Sequence, residues 1–399
     1  CVLIWTYPVS FDTMLVDEYK TAWEKMYCKY FNPDFIDAAG NILPTIIKGG
    51  VNVNFDELVI SSNESSTPLF ECNTDPAGLL NFTILMDVGG GSTDIIGYKH
   101  DKGTNAAMPF FLTSFNFAGN ALYLDGGSNL HNAIGQNIFK HYMEKACRAE
   151  LDKESPLNSM ERINGKGAET VSSLMNFGFS QASASFSKLF KGTPDLRFML
   201  KLHNAALIYH TAQLCHACSP DESPMEIYLS GNGSKLFDLN DSFGRMVQAI
   251  FDQVYGKQRR IKTVRARDPK AATALGALKG YNKHALAINA EAATSQKTML
   301  GDNKTVYDGG THNVAGEDVK ALRDSVQANA KAFIDLFYSE FAGTDTPISK
   351  DEIVECLNRV QNDNRLNIRG NIVSNTLFFN HIALMMEQAS IMIWQKRRF

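Results

Sequence analysis

The sequence predicts an α/β protein, and three observations support that prediction. Short apolar runs end at glycine-rich turns, as strands do. Between them lie segments whose apolar residues recur every three or four positions, which indicates helices. The chain has 399 residues, of which 44% are hydrophobic and 21% charged. This is an ordinary globular composition, and the chain is long enough for several domains, each with its own core.

Charge and cysteine usage exclude several classes of protein. The formal net charge is -4, which gives no electrostatic reason to expect nucleic acid as a partner. No uncharged apolar run has the length of a transmembrane helix. The 7 cysteines are scattered and odd in number. They do not resemble a disulfide framework and indicate a reducing, cytoplasmic compartment.

The N-terminal part of the chain is predicted to contain two strands and a helix. An apolar strand over 2–5 opens the sequence at Cys1, so we expect further residues upstream. Residues 11–30 have helical periodicity. A short strand over 58–62 ends beside Glu64, near a helix start. The apolar stripe predicted for the helix consists of Leu15, Tyr19, Trp23, Met26 and Tyr30.

The central part begins with three predicted antiparallel strands, over 82–87, 94–99 and 108–115, whose connections are rich in glycine and lysine. A helix is expected over 130–150. Residues 151–195 are polar, with glycine and serine punctuation, and their structure is the least defined by the sequence.

A helix start is predicted at Thr193, Pro194 and Asp195. They provide a hydroxyl N-cap, a proline at the first helical position and an acid in the first turn. The helix is expected to run to about 214. The elements predicted after it are a strand over 226–229, a helix over 237–254, a strand over 261–266 and an alanine-rich helix over 269–280.

The C-terminal part is predicted to be a hairpin followed by helices. The hairpin spans 298–310, and the pattern is mostly helical from 317 onward. Ser349 and Glu352 form a capping box that opens one helix. The last helix is apolar around most of its circumference, so packing within its own domain is favoured over binding a partner or a membrane surface.

The most informative segment is the strand, turn and strand over 82–96. Its first strand ends in a carboxylate, and three glycines then let the backbone bend and bring N–H groups against a ligand. Two hydroxyls and a second carboxylate follow. The residues concerned are Asp87, Gly89, Gly90, Gly91, Ser92, Thr93 and Asp94. This combination suits a phosphate tail with its magnesium ion, and a plain hairpin turn is the alternative interpretation.

Four further motifs accompany this turn in a fixed order along the chain. A strand ends near Glu64 before it, and a strand-to-helix step at Gly119 follows it. A strand then breaks at a second glycine turn over 230–234, and a helix of small residues begins after Asp268. In this order the motifs resemble the superfamily of actins, DnaK-like heat-shock chaperones and sugar kinases, from residue 1 to about 285.

The resemblance implies an actin-like (ribonuclease H-like) two-lobe ATPase fold. Its first lobe is incomplete, and residues 1–80 are the remainder of that lobe. Residues 81–285 form the second lobe, including a crossing helix over 269–280 between the lobes. Residues 286–399 form a mainly helical extension that the resemblance does not cover.

The resemblance also implies site roles for individual residues. Asp87 holds the water shell of Mg²⁺ and helps to orient the attacking water, and Glu64 positions or polarises that water; a helix-capping acid is the alternative for Glu64. The residues implied at the nucleotide are Gly89, Gly90, Gly91, Ser92, Thr93, Gly119, Gly231, Asn232, Gly233 and Ser234. The implied function is magnesium-dependent ATP binding and slow hydrolysis coupled to lobe closure, with a protein partner or self-association.

Several departures from the superfamily keep other functions open. Its first phosphate motif is expected upstream of Cys1. Residues 125–128 and 308–311 match the amino-acid pattern of that motif, but plain turns are the favoured interpretation there. A nucleotide-binding filament or scaffold subunit, a small-molecule kinase and an exopolyphosphatase-type phosphatase remain alternatives. In the last of these, a glutamate stands where this chain has Asp94.

Two remaining motifs have ordinary structural explanations. Cys215, His216 and Cys218, with His210 nearby, give a weak metal or redox signal, and the end of a helix with free thiols is favoured. The basic run over 257–267 is predicted to be a solvated strand face rather than a surface for nucleic acid or lipid.

Overall fold

The protein is described by a computed structural model. The described residues are 1–7, 13–64, 67–72, 82–101, 106–123, 138–139, 141–142, 183–222, 224–282, 296–309, 312–314, 319–361, 363, 366, 372–373 and 376–397. The helix predicted over 130–150 lies outside them apart from two short pieces, and the 125–128 turn lies outside them entirely.

Helices and strands alternate through the first two thirds of the chain, and helices dominate the last third. The helices are α1 (Thr13–Tyr30), α2 (Pro68–Cys72), α3 (Gly119–Leu122), α4 (Ser183–Gly192), α5 (Pro194–Cys218), α6 (Phe243–Tyr255), α7 (Ala272–Asn282), α8 (Val319–Glu340), α9 (Lys350–Val360) and α10 (Leu377–Arg397). The strands are β1 (Leu3–Tyr7), β2 (Thr45–Lys48), β3 (Val51–Asn54), β4 (Val59–Asn63), β5 (Phe82–Val88), β6 (Thr93–Asp101), β7 (Ala106–Phe115), β8 (Glu226–Ser230), β9 (Lys262–Arg265), β10 (Lys297–Met299), β11 (Val306–Asp308), β12 (His312–Asn313) and β13 (Ile372–Val373).

A five-stranded mixed sheet is the centre of the larger part of the molecule. Its strand order is β7-β6-β5-β8-β9. Strands β5, β6 and β7 are antiparallel neighbours, whereas β8 is parallel to β5 and β9 is parallel to β8. The predicted antiparallel set is therefore confirmed, and the sheet has the mixed order of the ribonuclease H-like fold that the resemblance implies.

The central strand β5 is buried on both faces, as a middle strand of a covered sheet must be. Alternate residues of β5 enter two different cores. Phe82, Ile84 and Met86 belong to a large core shared with α5 and the C-terminal helices. Leu85 packs on the other face with Tyr228 of β8. Asp87, near the strand end, is the one residue of β5 that is partly exposed.

The C-terminal helices share the large core with the sheet. Phe378 and Phe379 of α10 contact His210 of α5, and Phe379 also stacks on Phe117 with ring centroids 4.5 Å apart. Most of the circumference of α10 is buried, so the prediction that the last helix packs within its own domain is confirmed. The capping box at Ser349 is also present, as is the hairpin of β10 and β11.

The N-terminal part has a small core of its own, and the predicted stripe of α1 is partly wrong. Strands β1 and β4 pair in parallel, and α1 packs beside them through Tyr27 and Cys28. Tyr19 and Tyr30 are 47% and 67% exposed. A two-stranded sheet covers only a narrow face of a helix, so the contact runs through Val16, Trp23 and Tyr27 instead of the broader stripe.

Two helices start later than predicted, because side-chain hydrogen bonds to the backbone form a turn before each helix. Residues 232–239 form a 3₁₀ helix, and α6 begins only at Phe243, after Asn240 accepts hydrogen bonds from Ser242. The crossing helix α7 begins at Ala272 rather than at 269. There the Asp268 carboxylate accepts from the next two backbone N–H groups and forms a turn.

The start of α5 lies where the sequence predicts it, with Pro194 at the first position. The Thr193 side chain makes no capping hydrogen bond, although its carbonyl accepts from Arg197 at 3.0 Å. Asp195 is buried and paired with Arg397, so its role is tertiary as well as local.

The crossing helix α7 lies against the N-terminal part of the chain, in contact with α2 and β1. Gly276 faces the backbone carbonyl of Thr67 so closely that a Cβ atom would overlap it. The prediction that small residues allow close helix packing at this position is therefore confirmed. Among the described residues, no helix is both long and apolar enough to cross a bilayer.

Candidate functional site

The candidate site lies at the ends of two parallel strands, where the carboxyl ends of β5 and β8 meet at one edge of the sheet. Asp87 of β5 is in register with Ser230 of β8 on one side. On the other side it is in register with Asp94 of β6. The short turn between β5 and β6 therefore places two carboxylates in neighbouring positions.

Asp87 is the most strongly perturbed acid of this site. Burial raises its pKa to about 7, and the negative charges of Asp94 and then Glu64 contribute to the rise. The Ser230 hydroxyl and the Lys270 ammonium act in the opposite direction. A carboxyl group in this condition gains from a nearby cation, because a cation relieves both the desolvation and the repulsion.

Glu64 reaches the same electrostatic environment from the N-terminal part of the chain. It follows β4, and its backbone N–H donates to the Tyr7 carbonyl at 2.8 Å. Burial and then the charge of Asp94 raise its pKa, and Lys270 lowers it. The structure thus brings together Glu64 with Asp87 and Asp94, which the sequence separates by more than twenty residues.

The glycine turn after β5 is held by hydrogen bonds to a neighbouring segment. Gly89 donates to the Ser92 carbonyl at 2.9 Å and closes the turn. Gly119 donates to the Gly89 carbonyl at 3.1 Å, and Asn120 donates to the Gly90 carbonyl at 2.8 Å. The start of α3 therefore supports the turn directly.

The second glycine turn, after β8, packs against the first. Gly231 has φ 75° and faces the Asp87 carboxylate and the Val88 carbonyl too closely for a Cβ atom. Gly233 faces the Gly89 carbonyl just as closely. Gly231 also donates to the Pro269 carbonyl at 3.1 Å, which ties this turn to the segment that leads into α7. Only glycine fits both positions.

The predicted binding residues divide into those that hold the turns and those that face solvent. Thr93 and Ser234 are buried, and their hydroxyls donate to the carbonyls of Phe117 and Gly231, each at 2.7 Å. Gly90, Gly91, Ser92 and Asn232 are exposed. A ligand at this edge therefore meets these exposed groups first. The residue roles that the resemblance implies stay predictions.

Two residues beside Asp87 were missed by sequence reasoning. Lys270 lowers the pKa of both Asp87 and Glu64. Its signal in the sequence was its place directly before the small-residue helix. Ser230 was read only as the start of the second turn. It is fully buried, and its hydroxyl group lowers the pKa of Asp87.

The donor set fits a magnesium ion held through water. Magnesium prefers oxygen ligands and keeps several of its waters. Among the described residues, no group of three or more His, Cys, Asp or Glu side chains is close enough to hold a metal directly. The pair of Asp87 and Asp94, whose repulsion a cation relieves, is compatible with an ion in its water shell.

The other candidate motifs have structural roles. Cys215 and Cys218 form the last turn of α5 as free thiols, and burial raises the pKa of each. Residues of the basic run form a solvated face. Lys262 of β9 pairs with Glu226 at 3.3 Å, and Arg265 pairs with Asp238.

No protein-family model and no curated protein sequence matches the chain. Among solved structures, it is similar to a 15-stranded ParM filament from Clostridium botulinum, with 14% identity, coverage of 70% of this chain and 66% of that chain, and a TM-score of 0.39. It is also similar to MreB5 of Spiroplasma citri bound to ADP, with 14% identity, coverage of 71% and 69%, and a TM-score of 0.29. A third similar structure is a ROK family glucokinase from Streptomyces griseus in complex with glucose and AMPPNP, with 14% identity, coverage of 55% and 66%, and a TM-score of 0.28.

All three TM-scores are below 0.5, so these similarities carry no argument about this chain. The order and directions of the five central strands and the crossing helix on the N-terminal lobe are the features of this chain that define an actin-like α/β fold. The fold predicted from the sequence resemblance is confirmed at this level.

Proposed function

We propose that this chain binds ATP with Mg²⁺ at the edge of the sheet formed by the two glycine turns. The observation that carries the proposal is the contact of these turns at Asp87. Gly231 and Gly233 pack against the residues 87–89, and the exposed backbone of Gly90 and Gly91 lies beside them. Exposed glycine backbone next to a carboxylate suits a phosphate chain and its cation.

The chain's own residues have distinct tasks in this proposal. The exposed backbone N–H groups of Gly90 and Gly91 and the Ser92 hydroxyl hold phosphate oxygens. The exposed Asn232 contacts the nucleoside in this proposal. Asp87, once ionised, holds waters of the metal shell, and Lys270 balances the acidic charge of Asp87 and Glu64. Magnesium, when bound, neutralises phosphate charge.

Slow hydrolysis coupled to lobe closure is the finer part of the proposal. Glu64 follows β4 in the N-terminal part of the chain, while Asp87 lies in β5 of the five-stranded sheet. A movement that brings the lobes together therefore changes the distance between Glu64 and the phosphates. Positioning of water by such a group is the main catalytic contribution expected in phosphoryl transfer. We further propose that nucleotide state controls a protein partner or self-association.

The proposal is tested by comparing Asp87→Asn with the intact chain in calorimetric titrations of ATP in the presence of Mg²⁺. The matched control is Asp335→Asn, which removes an exposed carboxylate of α8. We expect Asp87→Asn to weaken binding about tenfold or more, because a charge-assisted contact is lost. Equal binding by the intact chain and Asp87→Asn, or equal loss in the control, contradicts the proposal.

The alternatives are separated by four readouts on the same protein. Steady phosphate release from ATP alone supports an ATPase. Formation of ADP and a phosphorylated product, only after a sugar or an acid is added, supports a small-molecule kinase. Phosphate release from polyphosphate supports an exopolyphosphatase-type phosphatase. Concentration-dependent pelleting with ATP supports a filament subunit, with or without turnover.

A further inference from the structure

A second concave site lies in the sheet lobe, between the α4–α5 corner and the segment that leads into α6. The cavity has a volume of about 240 Å³. Its charged and polar lining residues include Lys191, Arg197, Lys201, Asp241, Ser242 and Arg245. Leu200 and Leu239 add an apolar wall. None of these residues belongs to the candidate nucleotide site.

The cavity carries an excess of positive charge over the acids that pair with it. Four cationic side chains line it, and Asp241 is the acidic side chain of the lining. Asp241 pairs with Lys191 at 2.8 Å. Asp345, which approaches from the loop after α8, pairs with Arg197. Among the described residues, neither of these acids forms an ion pair with Lys201 or Arg245.

Lys201 and Arg245 retain donors for a ligand. The Lys201 ammonium donates to the Phe341 carbonyl at 3.1 Å, which uses one of its three N–H groups. Arg245 is exposed on the first turn of α6, and none of the described residues makes a side-chain hydrogen bond or ion pair with it. Burial lowers the pKa of Lys201, and the charges of Arg197 and Arg245 lower it further, against the opposite effect of Asp345. An anion in the cavity relieves this repulsion.

The backbone adds a further electropositive group. Helix α6 has 13 residues and begins at Phe243, directly beside Ser242 and Arg245 of the lining. The Ser242 side chain is turned to Asn240 and makes no capping bond to the helix. The Phe243 N–H donates to the Asn240 carbonyl at 2.9 Å. The following N–H groups of the first turn and the helix dipole reinforce the positive potential of the cavity.

We propose that this cavity is a second ligand site, which binds a phosphate group, either as free phosphate or as a small phosphate monoester. Guanidinium and ammonium groups that converge beside a helix start suit a tetrahedral oxyanion. The volume of the cavity exceeds what one ion needs, and the apolar wall of Leu200 and Leu239 offers a surface for a small organic group. The site is independent of the proposed nucleotide function.

The proposal is tested by titrating inorganic phosphate, and separately glycerol 3-phosphate, into the full chain at constant ionic strength, with heat and thermal melting as readouts. The test variant is Lys201→Gln with Arg245→Gln. We expect the variant to lose affinity by about tenfold for each cation removed, and to lose the increase in Tm that the ligand causes. Tighter binding of glycerol 3-phosphate than of phosphate identifies a monoester as the preferred form.

Two controls keep the result specific. Arg259→Gln with Lys262→Gln removes the same charge from a region outside the cavity, and Asp87→Asn alters the nucleotide site. Both should keep the affinity of the intact chain for the phosphate probes at the cavity. Unchanged affinity in the cavity variant overturns the proposal. So does an equal loss in the Arg259 and Lys262 variant, which would identify a general charge effect.

Discussion

At the scale of single residues, the site depends on how the chain surrounds Asp87. The carboxylate closes a buried strand and faces the backbone of Gly231, while Asp94 lies in register on the next strand. Water can therefore reach the charged Asp87 carboxylate from few directions. The raised pKa of Asp87 follows from this crowding, and a cation or a proton is needed to compensate it.

The pH dependence of stability provides a test of this environment. The pKa of Asp87 is about 7 in the fold, against 3.8 for the ordinary group. The folded chain therefore holds this proton more tightly than the unfolded chain does. The contribution of Asp87 to the free energy of unfolding falls as the pH rises from about 4 to about 7, by at most about 4 kcal/mol. Above that range the contribution is constant.

The measurement compares urea unfolding of the intact chain and Asp87→Asn below and above this range. The variant should lack this part of the pH dependence, whereas Asp335→Asn should retain it. Added Mg²⁺ should shift the pH range over which the stability changes to lower pH, because the ion favours the charged carboxylate. Parallel pH profiles for the intact chain and Asp87→Asn would show that Asp87 titrates as an ordinary acid.

At the scale of elements, α7 links the two lobes through one close approach. Gly276 lies on the face of α7 that meets Thr67, just before α2. Tyr228 of the central sheet also donates to the Glu71 carboxylate of α2, and Lys279 of α7 donates to the Glu71 carbonyl at 3.1 Å. Helix α2 is therefore held from the sheet and from α7 together.

Gly276→Ala should separate these elements. The added Cβ overlaps the Thr67 carbonyl, and backbone cannot move aside as a flexible side chain does. We expect unfolding free energy to fall by about 1–3 kcal/mol. The matched control is Gly244→Ala in α6, where a Cβ meets nothing within 4 Å. There the same substitution should stabilise the helix by up to about 1 kcal/mol. A neutral Gly276→Ala, measured by urea unfolding, would mean that α2 and α7 are not packed this closely.

At the scale of the whole molecule, the C-terminal helix is part of the lobe that carries the site. Asp195, in the first turn of α5, is buried and accepts hydrogen bonds from Tyr142 at 2.6 Å and from Arg397 at 2.9 and 3.1 Å. Arg397 is in the last turn of α10. An acid in the first turn of one helix is thus the anchor of another helix about two hundred residues later.

Arg397→Gln should show that this pair is a structural link. It leaves the buried Asp195 carboxylate with the Tyr142 hydroxyl as its remaining described partner, so we expect a loss of about 3 kcal/mol in unfolding free energy. Arg359→Gln removes an exposed pair with Glu355 within α9 and should cost less than about 1 kcal/mol. Combining Arg397→Gln with Asp195→Asn should recover part of the loss. Similar losses for Arg397→Gln and Arg359→Gln in urea unfolding would rule out a special role for the buried pair.

Features that depend on residues close in sequence were predictable. The turn after Asp87, the strands on either side and the capping box at Ser349 all arise from neighbouring residues, so local patterns were sufficient. The resemblance then ordered these elements into an actin-like fold. The starts of α6 and α7 were placed too early, because the turns at Asn240 and Asp268 compete with helix formation.

The amino-acid sequence by itself determined the local elements, their order along the chain and the position of the acidic glycine turn. Only the tertiary structure decided which side chains face a ligand. It buries the Thr93 hydroxyl against Phe117, brings Lys270 to Asp87, and seats Gly233 on the turn of Gly89. The reason is physical: pairing of β5 with β8 and packing of α7 join segments far apart in the chain, and no local pattern encodes the distances between them.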